Sequence, residues 1–290
     1  MPEAMNILLI CTDQQTATAM SCAGNRDLHT PAMDGLAAQG LRCTRSYCTQ
    51  PLCAPQRASF VTGLLPHRTN VIDNSGPLHD TLVDSTLGQR LTAAGYRCGL
   101  AGKWHVPGVT PTACGFDVLC GSDDEAIPAA ASVFLATDAA TPFFLFASFT
   151  NPHDICQVAR NQPLPQGPVS APATITDCPN LPANFAEPAF APDLLQFTRR
   201  ANPRIYPTGG FSTDDWRRLR WDYCRLVEKV DAQVGRVLGA LRDSGHENDT
   251  LVLFTSDHGE GAGAHHWNQK TALWEESIRV PFIARGPGVR

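Results

Sequence analysis

Cys53, Pro55 and Arg57 stand at alternate positions ahead of small and apolar residues that end at Gly63. Pro55 has a fixed φ and no N–H to donate, which suits a helix's first turn, and Gly63 suits its end, so the spacing predicts a helix headed by Cys53. A thiol placed there meets unpaired N–H groups and the positive pole of the helix, which favour a thiolate and any anion bound beside it. Arg57, one turn on, can aim a fixed cation at the same point. A lone cysteine before Pro and Arg also reads as a small core residue, and the choice between the two rests on what the chain brings near it.

Four other stretches place chemistry-bearing residues directly after an apolar run. Asn6 to Cys11 runs into Asp13 and Gln14, and Thr250 to Thr255 runs into Asp257 and His258. Tyr96 to Ala101 leads to Lys103 and His105, and Pro142 to Thr150 leads to His153. Each has a plain alternative: a loop carboxylate capping the next segment, ordinary surface polarity, or a turn histidine. Together they describe a site. Two carboxylates, the Gln14 amide oxygen and the His258 imidazole suit a divalent cation that also grips substrate oxygens. Oxygen-rich ligation favours Ca²⁺ or Mg²⁺, and the imidazole admits Mn²⁺. Lys103 as a point charge and His105 as donor or proton carrier can reach one anionic ligand.

The elements that must position these residues are legible as well. The short continuous apolar runs are the pattern of buried parallel strands, and the intervening segments read as helices. Thr30 and Pro31 open one that closes at Gly40; Asp84 and Ser85 open another that closes at Gly95; Leu41 to Tyr47 reads as a strand. Ser212 to Asp215 begins the longest helix, whose stripe from Leu219 to Leu241 is core packing. The expected fold is therefore α/β, a doubly wound, mostly parallel sheet flanked by helices, in which all strand carboxyl ends share one edge. Residues 155–210 are different: Pro-rich and without sustained periodicity. They are expected to form an irregular excursion near the substrate entrance.

Composition excludes several classes of function. The chain has 290 residues, 43% of them hydrophobic, enough for one large domain, with a formal net charge of −5. That balance offers no field for nucleic acid or an anionic membrane surface, and no long apolar run suggests a membrane span. Eleven cysteines lack paired spacing, so neither a zinc site nor a disulfide framework is expected. The first residues, Met1 to Met5, pass into the apolar run without the pattern of a signal peptide, and a cytoplasmic location is expected.

The order of blocks resembles the type I, formylglycine-dependent sulfatases of the alkaline phosphatase superfamily. It takes in Thr12 to Gln15, Thr30 to Ala37, Cys53-x-Pro55-x-Arg57, Gly102 to His105, Asn151 to His153, Thr255 to Glu260 and Lys270 to Pro281. The family's commonest signature has Ser where this chain has Gln56. The resemblance implies a sulfatase catalytic domain over 1–290, in which a maturating enzyme converts Cys53 to formylglycine. It implies one divalent metal, Ca²⁺ first, held by Asp13, Gln14, Asp257, His258 and residue 53. Arg57 would steady the aldehyde hydrate, and Lys103, His105, His153 and Lys270 would hold or protonate a sulfate ester of a small molecule or carbohydrate. Phosphonate monoester or phosphodiester hydrolysis, and a catalytically silent homologue, are the alternatives. Because the family's smaller C-terminal subdomain has no counterpart after Pro281, a truncated chain is expected. His265, His67, Asp73 and Asn74 are expected to be structural.

Overall fold

The computed structural model describes residues 5–137 and 141–289. Residues 1–4, in the stretch read for a leader, lie outside them. The strands are β1 (Asn6–Asp13), β2 (Leu41–Cys43), β3 (Arg97–Gly102), β4 (Asp117–Cys120), β5 (Phe143–Pro152), β6 (Thr250–Ser256) and β7 (Phe282–Arg285). The helices are α1 (Pro31–Gln39), α2 (Cys53–Thr62), α3 (Pro66–Thr69), α4 (Leu87–Ala93), α5 (Ile127–Leu135), α6 (Ile155–Val158), α7 (Asp193–Ala201), α8 (Thr213–Asp243) and α9 (Glu275–Ile278).

The strands form one seven-stranded sheet in the order β2-β7-β6-β1-β5-β3-β4. From β6 to β4 every pairing is parallel, while β7 runs antiparallel between β6 and β2. Helices cover both faces, as a doubly wound sheet requires. On one face α1, α5 and α8 pack Met33, Leu36, Ile127, Val230, Val234 and Val237 onto Leu8, Ile10 and Leu145. On the other, Phe60, Leu87 and Leu91 from α2 and α4 meet Phe144, Phe146 and Phe116. Each large side chain so buried contributes about 1.5–3 kcal/mol. No helix among the described residues is long and apolar enough to cross a membrane.

Local chemistry explains where the elements depart from expectation. Helix α8 starts at a reciprocal cap in which the Ser212 hydroxyl accepts from Asp215 N and the Asp215 carboxylate accepts from Ser212 N. Thr30 does precede α1, but its hydroxyl accepts from Ser21 N instead of capping. The orphan N–H groups of Ala32 and Met33 donate to the Asp231 carboxylate of α8, which ties the two helices together. The helix read from Asp84 starts at Leu87, after a 3-10 turn over Asp80–Ser85. The strand read through Tyr47 ends at Cys43, because the chain leaves the sheet and pairs Ser46 and Cys48 with Val280 and Ile278. Residues 155–210 are mostly irregular, yet they hold α7. That helix was hidden by its nine-residue length between Pro192 and Asn202.

Candidate active site

Parallel register brings the site together. β1 pairs with β6 so that Thr12 lies opposite Ser256, and Asp13 and Asp257 therefore leave adjacent strands side by side. On the other flank Asp13 lies opposite Pro152, which delivers His153, and Gly102 lies opposite Ser148 at the point where β3 gives way to Lys103. Gly102 has φ +106°, and a Cβ there would sit 2.0 Å from the Ser148 carbonyl oxygen. Only glycine lets β3 turn out of the sheet so close to β5.

α2 points its first turn at this edge, with Cys53 as its first residue and Leu52 as an extended cap. The cap has no side chain to offer, so Asn74 accepts from Ala54 N at 3.1 Å. Gln56 is also turned to structure, its amide oxygen accepting from Thr49 N at 2.7 Å.

The Cys53 Sγ lies 3.2 Å from His258 Nε2, 3.6 Å from Asp13 Oδ1 and 3.1 Å from Lys270 Nζ. Donor atoms of Asp13, Cys53, Asp257 and His258 all fall within 4.8 Å of one another, and all four residues are buried. The set fits a divalent cation. His258 Nδ1 lies 2.9 Å from the Gly259 carbonyl oxygen, a partner for a proton on Nδ1 that would leave Nε2, which faces the carboxylates, to bind a cation. Gln14 stands beside the set with its amide engaged elsewhere: Oε1 accepts from Lys270 at 2.8 Å and Nε2 donates to Glu260.

Arg57 supplies the fixed cation from α2. Its Nε donates to Asp257 Oδ2 at 2.9 Å, its Nη1 to Ser148 Oγ at 2.8 Å and to the Lys103 carbonyl at 3.0 Å. Its Nη2 lies 3.5 Å from Asp13 Oδ2, which also receives Lys103 Nζ. Burial opposes ionisation of Asp13, but Lys103, His153, Lys270 and Arg57 outweigh it and hold this carboxyl well below its usual range. Asp257 is pushed up by burial and by the charge of Asp13, against His258 and Arg57. A doubly charged ion between them would relieve that conflict. Burial and Asp13 likewise oppose a Cys53 thiolate, yet Lys270, His258 and hydrogen bonding from His105 bring the thiol well below its usual range. His153 is disfavoured as a cation by burial and Lys270; Asp13 and hydrogen bonds to Cys156 and Cys53 raise it to about 9.

Beyond the cluster lies a pocket of about 770 Å³, with Lys103, His105, His153, Lys270, Arg160 and Tyr206 in its wall. The sequence-predicted residues therefore converge, with Gln14 as a neighbour of the metal-type set. Others were not anticipated. Ser148 holds Arg57, Glu260 accepts from Gln14, Gln269 N and Ala262 N, and the Tyr223 hydroxyl donates to the Gln14 carbonyl. A polar residue inside the apolar run of β5 was the available signal for Ser148. Asn74, read as a turn residue, also lines the pocket, while His265 stacks on Trp274 at 4.1 Å.

A Sulfatase family model matches residues 5–290. A Delta 4,5-hexuronate-2-O-sulfatase from Bacteroides thetaiotaomicron is 28% identical over 99% of this chain and 63% of its own length. An ulvan-active sulfatase from Formosa agariphila is 28% identical over 99% of this chain and 57% of its own. The chain thus spans about six-tenths of these curated relatives. The crystal structure of a putative sulfatase from Bacteroides thetaiotaomicron superposes with a TM-score of 0.85 at 27% identity, covering 99% of this chain and 66% of that one. One family model embraces every strand end that carries the cluster, and the chain belongs to the sulfatase family.

Proposed function

We propose that this chain hydrolyses a sulfate ester to an alcohol and sulfate, with residue 53 as nucleophile after its conversion to formylglycine. The observation that carries the reading is the convergence of Asp13, Asp257 and His258 on Cys53, with Lys270 against the same sulfur. As formylglycine hydrate, residue 53 would supply the nucleophilic hydroxyl and a second hydroxyl for release of sulfate, which a thiol or serine lacks. Asp13, Asp257 and His258 would hold a divalent cation, Ca²⁺ before Mg²⁺ or Mn²⁺, that acts as a Lewis acid toward oxygens at sulfur.

The remaining steps belong to side chains already in place. Arg57 orients both carboxylates and opposes their protonation, held in place by its bonds to Asp257, Ser148 and the Lys103 carbonyl. Lys270, raised above the usual amine range by Cys53, Cys156 and Asp13 despite burial, serves as a fixed charge on the sulfate oxygens, steadied by Gln14. His153, in the pocket wall beside Asp13 and Cys156, protonates the leaving alcohol. Lys103 and His105 line the same wall and hold the ester. Cys53 is 0% exposed, so a maturating enzyme must reach it before the chain closes. The substrate is a sulfated carbohydrate, in keeping with relatives named for a hexuronate and for ulvan.

The test uses chain co-produced with a maturating enzyme, with Ca²⁺ supplied and conversion of residue 53 verified by peptide mass. Turnover of an aryl sulfate should exceed that of an aryl phosphonate ester, and Lys270→Met should lower kcat/KM for the sulfate by about 10²–10⁴-fold. Converted, metal-loaded protein that leaves the sulfate intact refutes the assignment. Preference for the phosphonate moves it to that class of hydrolase.

A further inference from the structure

The pocket wall contains a cation that the reaction at sulfur does not use. Arg160 follows α6 at the start of the Pro-rich excursion, and its guanidinium carbon lies 4.5 Å from the centre of the Tyr206 ring, near the excursion's other end. Its Nη2 donates to the Tyr206 hydroxyl at 3.0 Å, and among the described residues Nε and Nη1 have no hydrogen-bond partner and no carboxylate pairs with the guanidinium. Asp154 is the one carboxylate in the pocket wall, and it accepts from Gln166 N at 2.8 Å. Gln157, in the same wall, has its amide oxygen buried without a partner. The chain is acidic overall, yet this cavity gathers Lys103, His105, His153, Arg160 and Lys270.

Position relates this cation to the nucleophile. Arg160 is one helical turn beyond Cys156, whose Sγ lies 3.5 Å from Gln14 Oε1, which is 2.8 Å from Lys270 Nζ. Lys270 in turn touches Cys53. Arg160 thus stands in the same pocket as the reacting centre but outside its first ring of contacts. A guanidinium held flat on an aromatic ring loses little freedom when it binds, and its fork matches an oxyanion in two-pronged fashion.

We propose that Arg160, held by Tyr206, is the recognition site for a second oxyanion on the substrate, a carboxylate or a second sulfate ester on the sugar that carries the scissile group. The inference rests on the sulfate-ester reading above and narrows it to polyanionic carbohydrates.

The experiment compares 4-nitrophenyl sulfate, a sulfated hexuronate, the methyl ester of that hexuronate and a disulfated glucosamine on matured protein. The hexuronate or the disulfate should exceed the methyl ester in kcat/KM by about 10–100-fold, as expected for one charge-assisted pair. Arg160→Ala should erase that ratio while moving the aryl sulfate much less, and Arg160→Gln, which keeps bulk over Tyr206, should do the same if Ala misfolds. Whichever anion shows the larger ratio is the source. Equal rates for acid and ester, or a uniform loss on all four substrates, overturn the proposal. Calorimetric binding of the acid and its ester to unmatured chain separates the two readings. An Arg160-dependent preference for the acid without turnover of any sulfate removes the hydrolase and leaves the subsite; equal binding removes the subsite whatever the turnover.

Discussion

Before any cation arrives, Arg57 is the side chain on which the closed site most depends. It is 2% exposed, its two carboxylate partners are 0% exposed, and it bridges α2, β6, β5 and the end of β3. Arg57→Ala leaves Asp257 and Asp13 short of their fixed counter-charge, and breaking a buried ion pair in this way costs about 3–5 kcal/mol. Against a total stability of about 5–15 kcal/mol that is a large fraction. At about 2–3 °C per kcal/mol for a chain of this length, the midpoint of thermal unfolding should fall by about 6–15 °C in EDTA. Arg57→Lys keeps the charge but cannot make the same set of bonds, and should fall by less than half as much. Ca²⁺ provides the contrast. In the alanine variant Arg57 no longer competes with the ion for the carboxylates, although Lys103 still pairs with Asp13, so millimolar Ca²⁺ should raise its midpoint by more than it raises the parent's; an ion at a hundredfold excess over Kd stabilises by about 2.7 kcal/mol. Circular dichroism melts of the three proteins in EDTA and in Ca²⁺ measure both effects. An alanine variant that melts within about 2 °C of the parent in EDTA, or equal Ca²⁺ increments, would show that Arg57 does not neutralise this pair.

Two further outcomes test the frame around the site. Gly102→Ala must drive a Cβ into the Ser148 carbonyl, which also receives Lys103 N at 2.8 Å, so β3 and β5 separate where they hold Lys103 and Arg57. Urea midpoints should register a loss of at least about 2–4 kcal/mol, and an unchanged midpoint would show that the strands yield there. Burial pushes the Asp231 carboxyl up to about 6, against the backbone N–H groups of Met33 and Ala32. Its unfolded value is about 4, so the folded state holds a proton that the unfolded state has released, and the associated stability is present below about pH 4 and lost as pH rises through about 6. Asp231→Asn should remove about 1–3 kcal/mol of that decline across pH 4–7, and parallel stability profiles of variant and parent would count against it.

Much of the site could be read from the chain because its residues sit at places that local physics marks. Asp13, Lys103, His153 and Asp257 each follow an apolar run, and a buried parallel strand has to present its next polar residue at the sheet's carboxyl edge. Cys53 and Arg57 were marked by Pro55 and Gly63 around α2. The capping box of α8 and the Gly95 stop after α4 are local events too. The resemblance, carried by blocks such as Asn151 to His153 and Lys270 to Pro281, then supplied roles that spacing alone left open, and the matching family model spans all of them.

What escaped was decided by partners far along the chain. Thr30 looks like a cap for α1 from its own neighbourhood, yet Asp231, two hundred positions on in rough terms, satisfies those N–H groups. Short β2 and antiparallel β7 form one margin of the sheet because pairing there runs between segments distant in sequence, which no local pattern encodes. That the Gln14 amide oxygen would meet Lys270, 256 positions on, is likewise written nowhere in its neighbourhood.

By itself the amino-acid order determined the strand ends, the helix that heads with Cys53, and the chemical types that could gather around a doubly charged ion, since periodicity and turn residues act over a few positions. Tertiary structure alone decided which carboxyl is held down and which is pushed up, which ammonium meets the Gln14 amide oxygen, and that Arg160 meets Tyr206 across an excursion with no pattern of its own. Charge interactions act through space, and they are settled only when the sheet's register brings distant segments within a few ångströms.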